Sequence, residues 1–393
     1  MGPVLRAAAL ALAGLWVAAA GAGTRAPTRP KWRGVYFNPQ VNADPNYPWL
    51  LTYPDHRERV RRELRELVTA AGVNLVDVFV MIPNSLKEPA RGNRTGEPLT
   101  AWANLAFLDR VAAFVDDCHE AGIQAELDLV DNRWIPYSVD SANHIGKPGG
   151  PWWPVAGDTP WKESAEWYRA MIEGIEARTK HPEAIAIWCM MGNYTWGSAE
   201  PVLWDDDGRP EVRRSTERFI RGVWPAFRAA GRRPKAAPIL LPIFAAGGYW
   251  ATRTPMERLA GFANLKRWIV DDLKLPPDYW VMSAYPCCAP ASDGFDYLKA
   301  ILKILGPGSA ARMVSTDLKA AGHDDERRDT IIRTGALSGA ELLAWHLRQC
   351  ARLRFAGWWV WAYQDTPTSR SGLRTLSGDW KPELLAAIRR GGR

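Results

Sequence analysis

The stretch VRRELRELVTAAGVNLVDVFV, residues 60–80, decides the fold. Val60, Leu64, Leu67, Val68 and Ala71 recur at helical spacing and make one apolar stripe. Gly72 stands where a helix ends in a left-handed C′ residue. The run 75–80 that follows is apolar without strict alternation, the mark of a strand buried on both faces. A helix, a glycine stop and a buried strand therefore follow one another within one short segment. The same join returns at Glu120-Ala121-Gly122-Ile123, and Ala229-Ala230-Gly231 makes a third helix stop.

Working outward, strand-like runs fall at 34–37, 75–80, 125–130, 185–191, 239–244, 280–284, 313–316 and 357–361. Helical patterns fill the gaps at 104–121, 161–180, 212–230, 264–273, 295–305 and 382–390. Thr159-Pro160 reads as N-cap and first helical turn, and Ser338 with Glu341 as a capping box before Leu342, Leu343 and Leu347. Eight strands alternating with helices predict a parallel sheet closed into a single-domain (β/α)₈ barrel over residues 31–393. An open doubly wound sheet is the alternative. It usually has fewer strands, and no Gly-rich phosphate loop follows the first strand here.

The chain has 393 residues, enough for such a barrel, and its 47% hydrophobic and 24% charged residues are globular in balance. The net charge of +7 is spread along the chain. Its densest basic cluster, from Arg57 to Arg65, alternates with glutamates and apolar residues, which reads as a solvated helix face and excludes a nucleic-acid partner. Residues 1–22 read as a signal peptide: one early positive charge, an apolar run too short for a good span, then Ala20-Gly21-Ala22 as cleavage site. Residues 23–30 are a Pro-containing linker. The expectation is a secreted or periplasmic monomer, off the membrane after cleavage, with an uncleaved anchor as the alternative. The cysteines Cys118, Cys189, Cys287, Cys288 and Cys350 lack metal-ligand spacing and read as buried apolar residues, with the pairing of Cys287 and Cys288 left open. No histidine lies in an H-x-H or H-x-x-E-H pattern, and His119, His181 and His346 sit on helices or at their ends. Neither a metal nor a cofactor is expected.

In a barrel of this kind the chemistry sits just after the strands. Strand one leads to Asn38, strand three to Asp131-Asn132-Arg133-Trp134, strand four to Gly192-Asn193-Tyr194-Thr195-Trp196. Strand six leads to Tyr285, strand seven to Asp317, and strand eight ends in Trp361, ahead of Tyr363 and Asp365. Carboxylates, amides and aromatics on one rim are what a sugar needs: rings for its C–H faces and polar groups for its hydroxyls. The 21 Trp fit the same reading, with Trp134, Trp196 and Trp361 as sugar contacts and others as core. A poly- or oligosaccharide is the expected partner.

Several passages resemble the family-five glycoside hydrolases of clan A, the cellulases and mannanases. They are Arg178-Thr179-Lys180-His181-Pro182 through Ile187-Trp188, Gly122-Ile123 through Asp131-Asn132 with Trp134, Met313-Val314-Ser315-Thr316-Asp317, Gly357-Trp358-Trp359-Val360-Trp361 and Gly378-Asp379-Trp380-Lys381-Pro382. The resemblance implies a retaining hydrolase with Trp361 as sugar platform. The departures bear on mechanism. Where that family ends strand four in Asn-Glu, with Glu as acid/base, this chain offers Asn193 or Tyr194. Its strand-seven Glu nucleophile is matched by Asp317, one methylene shorter, and its strand-six His-x-Tyr by Ser283-Ala284-Tyr285.

Retaining hydrolysis needs carboxyl groups about 5–5.5 Å apart and inverting hydrolysis about 6.5–9.5 Å. Of Asp131, Glu200 and Asp365 as replacement acids, Asp131 is preferred because it sits at a strand end. The catalytic pair expected is then Asp317 with Asp131, with Asn38, Trp134, Asn193, Tyr194, Trp196, Tyr285 and Trp361 binding substrate. Two alternatives stand beside this: a non-catalytic sugar-binding barrel descended from such enzymes, and an unrelated barrel lyase or hydrolase.

Overall fold

The computed structural model describes residues 30–39, 49–80, 105–129, 160–190, 210–239, 259–283, 297–319, 339–365 and 372–391. Eight parallel strands close on themselves in chain order. They are β1 (Trp32–Tyr36), β2 (Leu75–Phe79), β3 (Gln124–Asp128), β4 (Ile185–Cys189), β5 (Lys235–Ile239), β6 (Tyr279–Ser283), β7 (Met313–Lys319) and β8 (Gly357–Trp361). The helices are α1 (Tyr53–Glu66), α2 (Leu105–Glu120), α3 (Pro160–Arg178), α4 (Pro210–Ala229), α5 (Ala260–Lys266), α6 (Tyr297–Leu305), α7 (Gly339–Leu353) and α8 (Pro382–Gly391). α1 runs on through a π-helical turn, Leu67–Ala71. The (β/α)₈ barrel expected from the sequence is the architecture observed.

The helix–Gly–strand joins work as their sequence predicts. Gly72 adopts φ +66° and donates its N–H to the Val68 carbonyl, and Gly122 at φ +73° does the same to His119. Side chains lacking a Cβ penalty are needed at both stops. Strand five is a correction. The apolar run 239–244 suggested it, but the ladder uses Lys235-Ala236-Ala237-Pro238-Ile239, paired to β6 through Ala236↔Tyr279 and Ile239↔Met282. Two small residues and a proline disguise that strand as a turn.

Two cores follow from the strand alternation. Val76, Val78, Ala125, Leu127, Trp188, Trp280, Trp358 and Val360 face the helices. Trp32, Tyr36, Leu75, Cys189, Ala236, Val281, Val314, Trp359 and Trp361 fill the barrel. The seam between β1 and β8 is tightly fitted. Trp32 pairs with Gly357 and Gly34 with Trp359, and a Cβ on either glycine would stand 2.7 Å from the Cβ of the opposing Trp. Bulky rings and bare glycines thus interdigitate where the ring closes.

Outside the barrel, Asp117 on α2 joins that helix to α1. It is buried and accepts hydrogen bonds from Tyr53 Oη (2.5 Å), Arg57 Nε (2.7 Å) and Arg57 Nη2 (2.8 Å). Burial and the Asp117 carboxylate raise the Tyr53 hydroxyl far above its ordinary range, so it stays a donor at every physiological pH.

His346 on α7 is buried, and its Nε2 has no hydrogen-bond partner among the described residues. Burial lowers its pKa to about 4. The unfolded chain takes up this proton near pH 6.5 and the folded chain only near 4, so stability is unaffected above pH 6.5 and falls between the two. The expected loss is about 3 kcal/mol by pH 4, and His346→Leu should flatten that limb of a urea-denaturation series across pH. An unchanged acid limb in the variant would overturn the assignment.

Candidate active site at the C-terminal mouth

Three ring-bearing side chains gather at the C-terminal ends of β8, β1 and β2. Tyr36 stacks on Trp361 with ring centroids 4.2 Å apart and planes 11° from parallel, and Phe79 leans against Tyr36 at 4.7 Å. Trp361, expected as the sugar platform, is only 5% exposed, and Tyr36 covers one of its faces. Phe79 is less buried than either. The peptide Trp361–Ala362 is cis.

Next along the ring come carboxylates the sequence reading passed over. Asp77 on β2 and Glu126 and Asp128 on β3 are all buried. Asp77 follows Leu75 by two residues and so shares its inward face, and it pairs in register with Glu126. Asp128 closes β3 and pairs with Cys189, the last residue of β4. The signal was present in Gln124-Ala125-Glu126-Leu127-Asp128, where every second residue is polar. Reading the strand as apolar on both faces hid it. Burial, and then the neighbouring Asp128, push the Glu126 carboxyl well above the usual carboxylate range, against the opposite pull of the Trp359 indole beside it.

The direction of that shift has a consequence for stability whose sign can be tested. A raised folded pKa means the stabilising state is present below the unfolded value near 4.5 and is lost as pH rises. Glu126→Gln cannot ionise. It should match the wild type near pH 4 and melt at higher temperature near pH 8. A variant less stable than wild type at both pH values would refute this reading.

Asp317 lies in the C-terminal half of β7, where the register shifts between Ser315 and Leu318. β3 has its own irregularity between Ala125 and Glu126. Such bulges break the regular alternation of a strand and re-aim its residues. Among the residues expected at the sugar, Asp131, Trp134, Asn193, Tyr194, Trp196 and Tyr285 lie outside the described residues, as does Glu200.

Two expected polar groups have framework partners. Asn38 is buried, with its Oδ1 accepting from the Gln364 N–H (3.2 Å) and its Nδ2 donating to the Gln364 carbonyl (3.3 Å). That amide ties the exit of β1 to the exit of β8. Asp365, weighed as an acid, accepts from Gly372 N–H and Lys381 Nζ at 2.8 Å each. It anchors the segment that leads into α8.

No protein-family model matches the chain, and no curated protein sequence does. Solved structures do. One is the exo-β-1,4-mannosidase Op5Man5 from Opitutaceae bacterium strain TAV5, at 16% identity and TM-score 0.54 over 93% of this chain. This chain spans 59% of that one. A second is a GH5_18 variant from Bifidobacterium longum subsp. longum in complex with Manβ1-4GlcNAc, at 14% identity and TM-score 0.54, covering 92% of this chain and 77% of that one. A third is a fungal β-1,4-galactanase, at 13% identity and TM-score 0.53, covering 92% of this chain and 99% of that one. At such identities the likeness is one of fold, and the chain has the (β/α)₈ barrel of these glycoside hydrolases.

Proposed function

We propose that this chain is an exported, monomeric glycoside hydrolase that cleaves a poly- or oligosaccharide at the C-terminal mouth of the barrel. Asp317 on β7 and Asp131, just beyond β3, are its carboxylate pair. The observation that carries the proposal is the order of the strands. β7 and β3 stand four strands apart in a ring of eight, on opposite sides of the mouth. The arc between them is β8, β1 and β2, the three strands that hold Trp361, Tyr36 and Phe79. A sugar spanning the mouth would have β7, which carries Asp317, at one end and β3, which leads to Asp131, at the other.

β3 and β7 also stand one strand further apart around the ring than β4 and β7 do. That favours the inverting separation of about 6.5–9.5 Å, with room for a water between sugar and base. The barrels of similar fold described above include a mannosidase, a galactanase and a protein holding a disaccharide, which supports a glycan as substrate. Export rests on the leader-like residues 1–22, and purification of the mature chain beginning near Gly23 tests it.

A polysaccharide panel read both for binding and for product release tests the central claim, with the anomer of the first turnover followed by NMR. Release of the inverted anomer is expected. A retained anomer would sink the β3–β7 pair. Binding without release would favour a non-catalytic sugar-binding barrel, which the absence of a carboxylate at Asn193 and Tyr194 also suits.

A further inference from the structure

At the opposite end of the barrel, two histidines far apart in the sequence meet. His119 lies in the last turn of α2, and His181 in the short turn between α3 and β4. Their imidazoles stack with centroids 3.6 Å apart and planes within 3° of parallel. Both Nδ1 atoms address the same carboxylate oxygen: Glu183 Oε1 lies 3.0 Å from His181 Nδ1 and 3.5 Å from His119 Nδ1. The candidate donor atoms of all three side chains lie within 4.8 Å of one another.

The frame beneath them is fixed by hydrogen bonds. Asp116, one helical turn before His119, accepts from Thr179 Oγ1 (2.6 Å) and from the backbone N–H of Lys180 (2.8 Å) and His181 (3.2 Å). The His119 carbonyl accepts from Gly122 N–H at 2.9 Å. The Glu183 carbonyl accepts from Gln124 Nε2 (3.1 Å) and Arg233 Nη2 (3.3 Å). Three side chains are thus presented by clamped backbone and remain partly open to solvent, with side-chain exposures of 44% for His119, 36% for His181 and 56% for Glu183.

We propose that His119, His181 and Glu183 form a binding site for a borderline divalent transition-metal ion such as Zn²⁺. Two imidazoles and a carboxylate are its preferred ligand class, and three protein ligands leave a fourth position for water. At metal–ligand distances of about 2.0–2.1 Å, tetrahedral donors stand about 3.3 Å apart. The two observed Nδ1–Oε1 distances, 3.0 and 3.5 Å, bracket that edge, and binding would swing the two stacked rings widely apart, which their partly exposed side chains permit, to aim both nitrogens at one ion. The ion would join α2 to the entry of β4, on the face opposite the proposed site of hydrolysis. Sequence spacing does not reveal the set, because His119 comes from a different helix–strand unit from the turn that holds His181 and Glu183.

The experiment is titration of the full-length, untagged chain with Co²⁺ followed by visible absorption, then displacement by Zn²⁺. One equivalent should bind, with the d–d bands of a low-coordinate nitrogen–oxygen site. His119→Ala and His181→Ala should each weaken binding by about tenfold or more, with the metal-free circular dichroism unchanged. Glu183→Gln should weaken it as well. Saturable binding of equal strength in the histidine variants overturns the proposal, as does absence of saturable binding in the wild type. A thiolate charge-transfer band also overturns it, because it would place the metal on a cysteine, such as Cys189 beside Glu126 and Asp128.

Discussion

Asp317→Asn should abolish glycan cleavage while leaving glycan binding near its wild-type strength. The amide keeps the shape of the carboxylate but can neither attack an anomeric carbon nor draw a proton from water. Both hydrolytic routes need that charge, one as nucleophile and one as base. The expected fall in product release is on the order of 10³-fold, within the range that general acid–base groups supply. Reducing-sugar release and affinity electrophoresis on one polysaccharide separate the two effects. A variant that releases product at more than about a tenth of the wild-type rate would remove Asp317 from the chemistry, since acid–base groups typically contribute at least 10²-fold. Asp131→Asn should show the same separation of binding from release.

The largest expected effect on stability comes from Asp117→Ala. The carboxylate is buried between α2 and α1 and gathers the Tyr53 hydroxyl and the Arg57 fork. Truncation leaves the buried hydroxyl of Tyr53 without its acceptor and removes the charge that holds Arg57. Breaking one side of a buried ion pair costs about 3–5 kcal/mol. The Arg57 side chain is 43% exposed, so water recovers part of its loss and the lower end of that range applies. Thermal unfolding should shift down by several degrees. Arg57→Ala alone should cost much less. Equal losses for the two variants would show that the Tyr53 bond contributes nothing.

The barrel was legible because its signals are local. Each helix stripe, each glycine stop and each apolar strand lies within a few residues, as in 60–80. β5 was misplaced because Lys235-Ala236-Ala237-Pro238 carries no apolar run, while a stronger one follows it. The interior of the barrel was harder to read. Asp77 comes beside Glu126 and Asp128 only after β2 and β3 are set in register, and pairing partners are not written in any single strand. The same holds for Tyr36 and Phe79, which become neighbours of Trp361 through the β8–β1–β2 order. Asn38 shows the converse. Its place after β1 was correct, but its bond to Gln364 links residues that only ring closure brings together.

That closure also constrains how the chain can be made. β1 finds its second neighbour only when β8 has been synthesised, so the backbone of Trp32 waits for Gly357 before its ladder is complete. A ribosome-bound chain that stops short of β8 carries two raw sheet edges, one along β1 and one along β7, and such edges recruit other strands. Contacts this distant in sequence also slow the final search. Assembly should therefore be late and abrupt, and nascent chains truncated before Gly357 should depend on chaperones to stay soluble.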